Sequence, residues 1–129
     1  MTVVDTHAVI WLTQEPAKLS PVASRALLEA RADGTLAIAD ITLREIAWSI
    51  STGRVLVSTP LGTYLAFVES LFNVVAINGA IAERSFQFSR RYPRDPADRL
   101  IGATAAVHGA RLVTKDRAIQ TSGEVNCVW

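Results

Sequence analysis

Asp5, Glu45, Asp98 and Asp116 are the residues of this chain best suited to do chemistry together, although they are scattered from one end of the sequence to the other. Asp5 follows the apolar run Thr2-Val3-Val4, and Glu45 lies one turn into a helical pattern after Leu36–Ala39. Asp98 lies in the first turn of a helix opening at Asp95-Pro96, and Asp116 follows Arg111–Thr114. A single acid at a helix start does no more than satisfy loose backbone N–H groups and complement the helix dipole. Four acids on one sheet edge are different. Helix-end partial charges of roughly half a unit each cannot offset four carboxylates in a poorly solvated cleft, whereas a divalent cation can. Oxygen ligands alone, with one cysteine and no histidine pair, select Mg²⁺ or Mn²⁺ over zinc. Two such ions roughly 4 Å apart would activate a water and stabilise the leaving oxygen in phosphodiester hydrolysis.

Short apolar runs alternating with amphipathic ones must position these acids. Thr2–Val4 is too short for a helix and reads as a buried strand, followed by a helix over 7–14 that Pro16 ends. Ser20-Pro21 caps a helix carrying Val22 to Arg31, and Leu36–Ala39 form the second strand. Thr42-Leu43-Arg44-Glu45 fits a capping box, with Leu43, Ile46, Ala47 and Ile50 repeating at helical spacing until Gly53, so Glu45 is expected in that helix's first turn. Thr59-Pro60 opens a helix with Leu61, Leu65, Val68 and Leu71 on one face. Asn73–Ile77 read as the third strand, and Asn78 caps a helix running to about Phe88. In Asp95-Pro96-Ala97-Asp98, Asp95 is the N-cap, Pro96 sits where its missing N–H is harmless, and Gly109 closes the helix. Asp95 points at its own helix's N–H groups, while Asp98 lies one turn in and can face the strands, which favours Asp98 for chemistry. Arg111–Thr114 and Val125–Val128 complete the strands. The order βααβααβααβαβ implies a mainly parallel, five-stranded sheet covered on both faces, an α/β fold. In such sheets ligands gather at the carboxyl ends of the strands.

With 129 residues the chain reads as one domain over 1–129. Half of it is hydrophobic and its mean hydropathy is +0.25, yet no apolar run approaches the roughly 18 residues of a membrane span. The acid at position 5 and the lack of a basic leading segment argue against a signal peptide, and Cys127, alone, excludes an intramolecular disulfide. Both observations point to the cytoplasm. The net charge is only +1, but Arg84, Arg90, Arg91, Arg94, Arg99, Arg111, Lys115 and Arg117 cluster around Asp98 and Asp116. A basic surround beside clustered acids suits a phosphodiester held near cations.

Asp5-Thr6-His7-Ala8-Val9-Ile10-Trp11-Leu12, Ile41-Thr42-Leu43-Arg44-Glu45-Ile46-Ala47, Arg94-Asp95-Pro96-Ala97-Asp98-Arg99-Leu100-Ile101 and Leu112-Val113-Thr114-Lys115-Asp116 together resemble a PIN-domain ribonuclease of the VapC toxin type. The resemblance implies a Rossmann-like three-layer α/β/α fold, Mg²⁺- or Mn²⁺-dependent RNA cleavage leaving 5′-phosphate and 3′-hydroxyl ends, and a cognate VapB-like antitoxin. By position, Asp5, Glu45, Asp98 and Asp116 would form the acidic site, with Thr6 and Thr114 hydrogen-bonded to the carboxylates. Asp116 is the weakest member, since it also suits the cap of the next short helix. Arg99 is placed to contact a phosphate or to form an ion pair at the helix start. His7 is expected to orient the first helix, Trp11, Trp48 and Trp129 to serve as core or interface aromatics, and Cys127 to be a small buried residue. The helices from Val22 to Arg31 and Leu61 to Leu71 carry surplus apolar residues, which invites an antitoxin helix or a homodimer contact. A competing reading is a catalytically weak RNA-binding or regulatory module. A phosphoryl-transfer enzyme using Asp5 as nucleophile is disfavoured because His7 stands where that chemistry needs a second acid.

Overall fold

A computed structural model describes the whole chain, Met1–Trp129. Its strands are β1 (Thr2–Val4), β2 (Leu36–Ala39), β3 (Asn73–Val75), β4 (Arg111–Val113) and β5 (Cys127–Val128). Every pairing is parallel, and the spatial order is β3-β2-β1-β4-β5. The chain builds outward from β1 through β2 to β3, then returns to the other side of β1 with β4. This reversal puts a switch point between β1 and β4, where crevices open at strand ends.

Alternation along the strands divides the core in two. Val4, Leu36, Ile38 and Val113 face one side, packed by α1 (Thr6–Gln14), α2 (Pro21–Ala32), α3 (Asp40–Ser51) and α4 (Leu61–Leu71). Val3, Ala39 and Leu112 face the other, packed by α5 (Gly79–Ser85), α6 (Pro96–Val107) and α7 (Arg117–Ser122). The result is the three-layer α/β/α arrangement that the alternating pattern predicts.

Several boundaries differ from expectation, for tertiary reasons. Helix α3 starts at Asp40, so Thr42 is no cap; it is fully buried and its hydroxyl has no hydrogen-bond partner. Glu45 consequently lies in the second turn. Asp40 Oδ2 instead accepts the Ile77 N–H at 3.0 Å, which takes that group out of the sheet and ends β3 at Val75. Helix α5 stops at Ser85, short of Phe88, because the next segment turns inward to pack Phe88 and Tyr92. On α4 the buried residues are Tyr64 and Val68, with Leu65 and Leu71 only partly covered. β5 spans two residues rather than Val125–Val128.

Candidate active site

Asp5 leaves β1 at the switch point and caps α1. Its Oδ1 accepts the Thr6 N–H at 2.8 Å and its Oδ2 accepts the Thr114 hydroxyl at 2.7 Å. That hydroxyl accepts the Asp116 N–H at 3.1 Å, so a short relay of hydrogen bonds joins the ends of β1 and β4. Asp5 is 7% exposed. Burial pushes its carboxyl above the ordinary range, against the lowering pull of its Thr114 and Thr6 hydrogen bonds. Thr6 contributes its backbone rather than its hydroxyl, which is buried without a partner and lines the cleft.

Asp98 occupies the place its spacing predicts. Asp95 caps α6 by accepting the Asp98 N–H at 3.1 Å, and Tyr92 donates its hydroxyl to the Asp98 carbonyl at 2.9 Å. Tyr92 is buried, stacked on Phe88 at 4.0 Å, and lies where a Cβ on Gly102 would collide with it, so only glycine fits there. The Asp98 carboxyl is pushed up to about 7, first by desolvation and then by the charges of Asp5, Asp95, Asp116 and Glu45.

Asp5, Glu45 and Asp98 line one cleft of about 560 Å³, and Asp5, Asp98 and Asp116 line an adjoining one. The structure thus brings the four acids to one strand edge, with Asp5 and Asp98 shared between the two hollows. Glu45 is half-buried and Asp116 likewise. Asp116 does cap α7, its Oδ1 accepting the Ile119 N–H at 3.1 Å. As they are placed, no three Asp, Glu, His or Cys side chains come together closely enough to hold a metal ion between them.

Arg99 answers neither expectation. Its guanidinium turns away from Asp98 and donates to the Pro93 carbonyl at 2.9 Å and the Ser85 carbonyl at 3.3 Å, with longer contacts to Phe88 and Ser89. It is a clamp on the segment preceding α6, satisfying carbonyls that the end of α5 leaves open. His7 is exposed at the cleft, its ring 5.8 Å from Trp11, rather than bracing α1. Cys127 is half-buried, and burial with the charges of Asp5 and Asp116 pushes its thiol up to about 11, so it stays protonated.

Trp11 and Trp129 pack against the core as the sequence predicts, but the cleft also reaches two of the three tryptophans. Trp11 and Trp48 both line the larger cleft, and Trp48 is 43% exposed; Trp129 backs Trp11 at 5.8 Å. The available signal was spacing, since Trp48 follows Glu45 by three and Trp11 follows His7 by four, which puts each pair on one helix face.

Residues 2–123 match the PIN domain family. The chain is similar to ribonuclease VapC22 of Mycobacterium tuberculosis, with 38% identity over 117 residues covering 91% of this chain and 88% of that one. It resembles a toxin–antitoxin complex from Klebsiella pneumoniae at 25% identity and a TM-score of 0.62, covering 90% of this chain and 87% of that chain. It shares its fold with VapBC2 from Rickettsia felis bound to a promoter DNA fragment, at 14% identity and a TM-score of 0.75, covering 98% and 96%. The strand order, the acids gathered at the switch point and this match along nearly the whole sequence agree: the chain belongs to the PIN domain family.

Proposed function

We propose that this protein is a divalent-metal-dependent endoribonuclease and the toxin of a toxin–antitoxin pair. The observation that carries the reading is the convergence of Asp5, Glu45 and Asp98 on one cleft, with Asp116 adjoining, in a chain 38% identical to a ribonuclease. The donor chemistry fits a hard cation. Each candidate ligand is a carboxylate oxygen, Asp5 and Asp98 are both held above their ordinary range, and none of the four acids has an ion-pair partner. Mg²⁺ commonly keeps several waters and takes one or two carboxylates together with substrate phosphate, so Asp5 and Asp98 would suffice as its protein ligands. Asp5 and Asp98 would hold the ion, with Glu45 and Asp116 turning toward its waters. When bound, the ion supplies the positive charge that a phosphodiester needs as its oxygens gain negative charge.

The chain's own groups do the positioning. Thr114 fixes the rotamer of Asp5, and Asp95 with Tyr92 fixes the backbone of Asp98. In the hydrolysis a water oxygen bonds to phosphorus and the bond from phosphorus to the 3′ oxygen breaks. The water's proton passes to a carboxylate of the cleft, and the departing 3′ oxygen takes up a proton.

A VapB-like antitoxin partner follows from the likeness to toxin–antitoxin complexes, and from apolar side chains left bare on two helices. Val22 and Leu28 of α2 and Phe67 of α4 are 57%, 64% and 47% exposed. The same residues would serve a homodimer, which sizing of the purified chain tests: a monomer at high concentration rules the dimer out. The nuclease reading is tested by incubating single-stranded RNA with the protein in Mg²⁺, Mn²⁺ or EDTA, alongside Asp98→Asn. Cleavage is expected only for the wild type with an ion, and equal activity in the variant or in EDTA overturns the assignment.

A further inference from the structure

The larger cleft has an acidic floor, but much of its rim is aromatic and cationic. Trp11 on α1 and Trp48 on α3 both line it, together with Lys18 and Arg54. The Arg54 guanidinium carbon lies 4.3 Å above the Trp48 ring, and Lys115 Nζ lies 5.3 Å above Trp11. Arg54 and Lys115 have no carboxylate partner, whereas Lys18 is paired with Glu15 at 3.0 Å. Trp48, 43% exposed at the cleft mouth beside an unneutralised cation, is not explained by core packing, and Trp11, although packed against the core and Trp129, also turns part of its indole to the same cleft beside Lys115. They match the way proteins hold unpaired strands, with bases on aromatic faces and cations along the backbone.

We infer that Trp48 and Trp11 are nucleobase platforms and that Arg54 and Lys115 hold the phosphates beside them. The inference rests on the reading that the substrate is RNA, and it adds which residues hold the strand. The helices fix the spacing. Trp48 lies one turn beyond Glu45 and Trp11 one turn beyond His7, so each platform projects from a helix that also brings a group to the acidic floor. A base stacked on Trp48 would leave its neighbouring phosphate over the carboxylates. In a duplex the base faces are already stacked on one another and cannot meet an indole.

The test is binding in EDTA, where no cleavage occurs, of a fluorescein-labelled oligoribonucleotide, unpaired or annealed to its complement. The unpaired strand is expected to quench the intrinsic tryptophan fluorescence. Trp48→Ala should weaken its binding about tenfold or more, with Trp48→Phe recovering most of the loss. With Mg²⁺, Trp48→Ala should raise KM and leave kcat within about twofold, because stacking away from the reacting phosphorus is uniform binding. Trp48 is exposed enough for these variants to fold, and an unchanged melting temperature verifies it; Trp11, packed on Trp129, is the secondary variant. Unchanged affinity in both tryptophan variants, or equal affinity of the wild type for the duplex, overturns the platform. Cleavage with KM unmoved by Trp48 substitution removes the platform and keeps the nuclease. Trp48-dependent binding without cleavage in any divalent ion keeps the platform and removes the nuclease.

Discussion

On the β1–β4 side of the cleft, Asp5 is nearly buried with both carboxylate oxygens engaged, and Thr114 beneath it is fully buried and hydrogen-bonded twice. On the α3 side, Glu45 is half-buried with no ion-pair partner, and Trp48 beside it is 43% exposed. One wall is set by strand ends and cannot move without breaking the sheet. The other hangs on side-chain rotamers. A site assembled this way holds its central charges in place before substrate arrives and leaves its outer charges to adjust afterwards. Pre-placed charge costs no reorganisation during reaction.

Breaking the fixed wall should do the most damage. Asp5→Asn on that wall, or Asp98→Asn on α6, whose backbone Asp95 and Tyr92 hold, is expected to lower kcat/KM by on the order of 10³-fold in a Mg²⁺ cleavage assay, with the fold intact by circular dichroism. Thr114→Val removes the hydroxyl that orients Asp5 and should cost about 10- to 100-fold in activity, with a loss of about 1–3 kcal/mol in stability from the carboxylate oxygen left unpaired. Urea denaturation alongside the assay separates the two effects. Glu45→Gln touches the loose wall and should cost about tenfold at limiting Mg²⁺, recovered in large part at saturating Mg²⁺. A loss as large as that of Asp5→Asn would mean that the two walls are equivalent.

The smallest effect sharpens the contrast by pH. The Asp98 carboxyl titrates at about 7 in the fold against 3.8 when free, so between about pH 4 and 7 the native state holds a proton that the unfolded chain has released. Metal-free stability should therefore be fullest below about pH 4, as far as this group is concerned, and fall as pH rises to 7. Melting curves across this range should show a shallower decline in Asp98→Asn, and added Mg²⁺ should restore wild-type stability at neutral pH.

Much of this was legible locally. Asp95-Pro96-Ala97-Asp98 contains the cap, the helix start and the inward acid within four residues, and the alternation of runs fixes the layer order. The carboxyl end of β1 could be read because Asp5 interrupts an apolar run. What escaped has its cause far away in sequence. The early end of β3 follows from Asp40 reaching Ile77, and the inward turn of Arg99 depends on carbonyls at the end of α5 and in the segment after it. Composition alone cannot tell a core tryptophan from one at a cleft mouth, because both lie on helix faces with mixed neighbours. Trp48 therefore reads as a packing residue in the sequence, and only its exposure sets it at the cleft.

The Arg99 clamp ties the segment carrying Arg90, Arg91 and Arg94 to the first turn of the helix that presents Asp98. Those three arginines are exposed, and each is a cutting point for trypsin. While the clamp holds, the backbone around them is anchored and a protease must wait for it to open. Replacing Arg99 with leucine should therefore let trypsin nick this segment sooner, and the same loosening would let Asp98 drift. Digestion time and nuclease activity would then decline together, so that a gel lane of fragments reports on a carboxylate that the protease never touches.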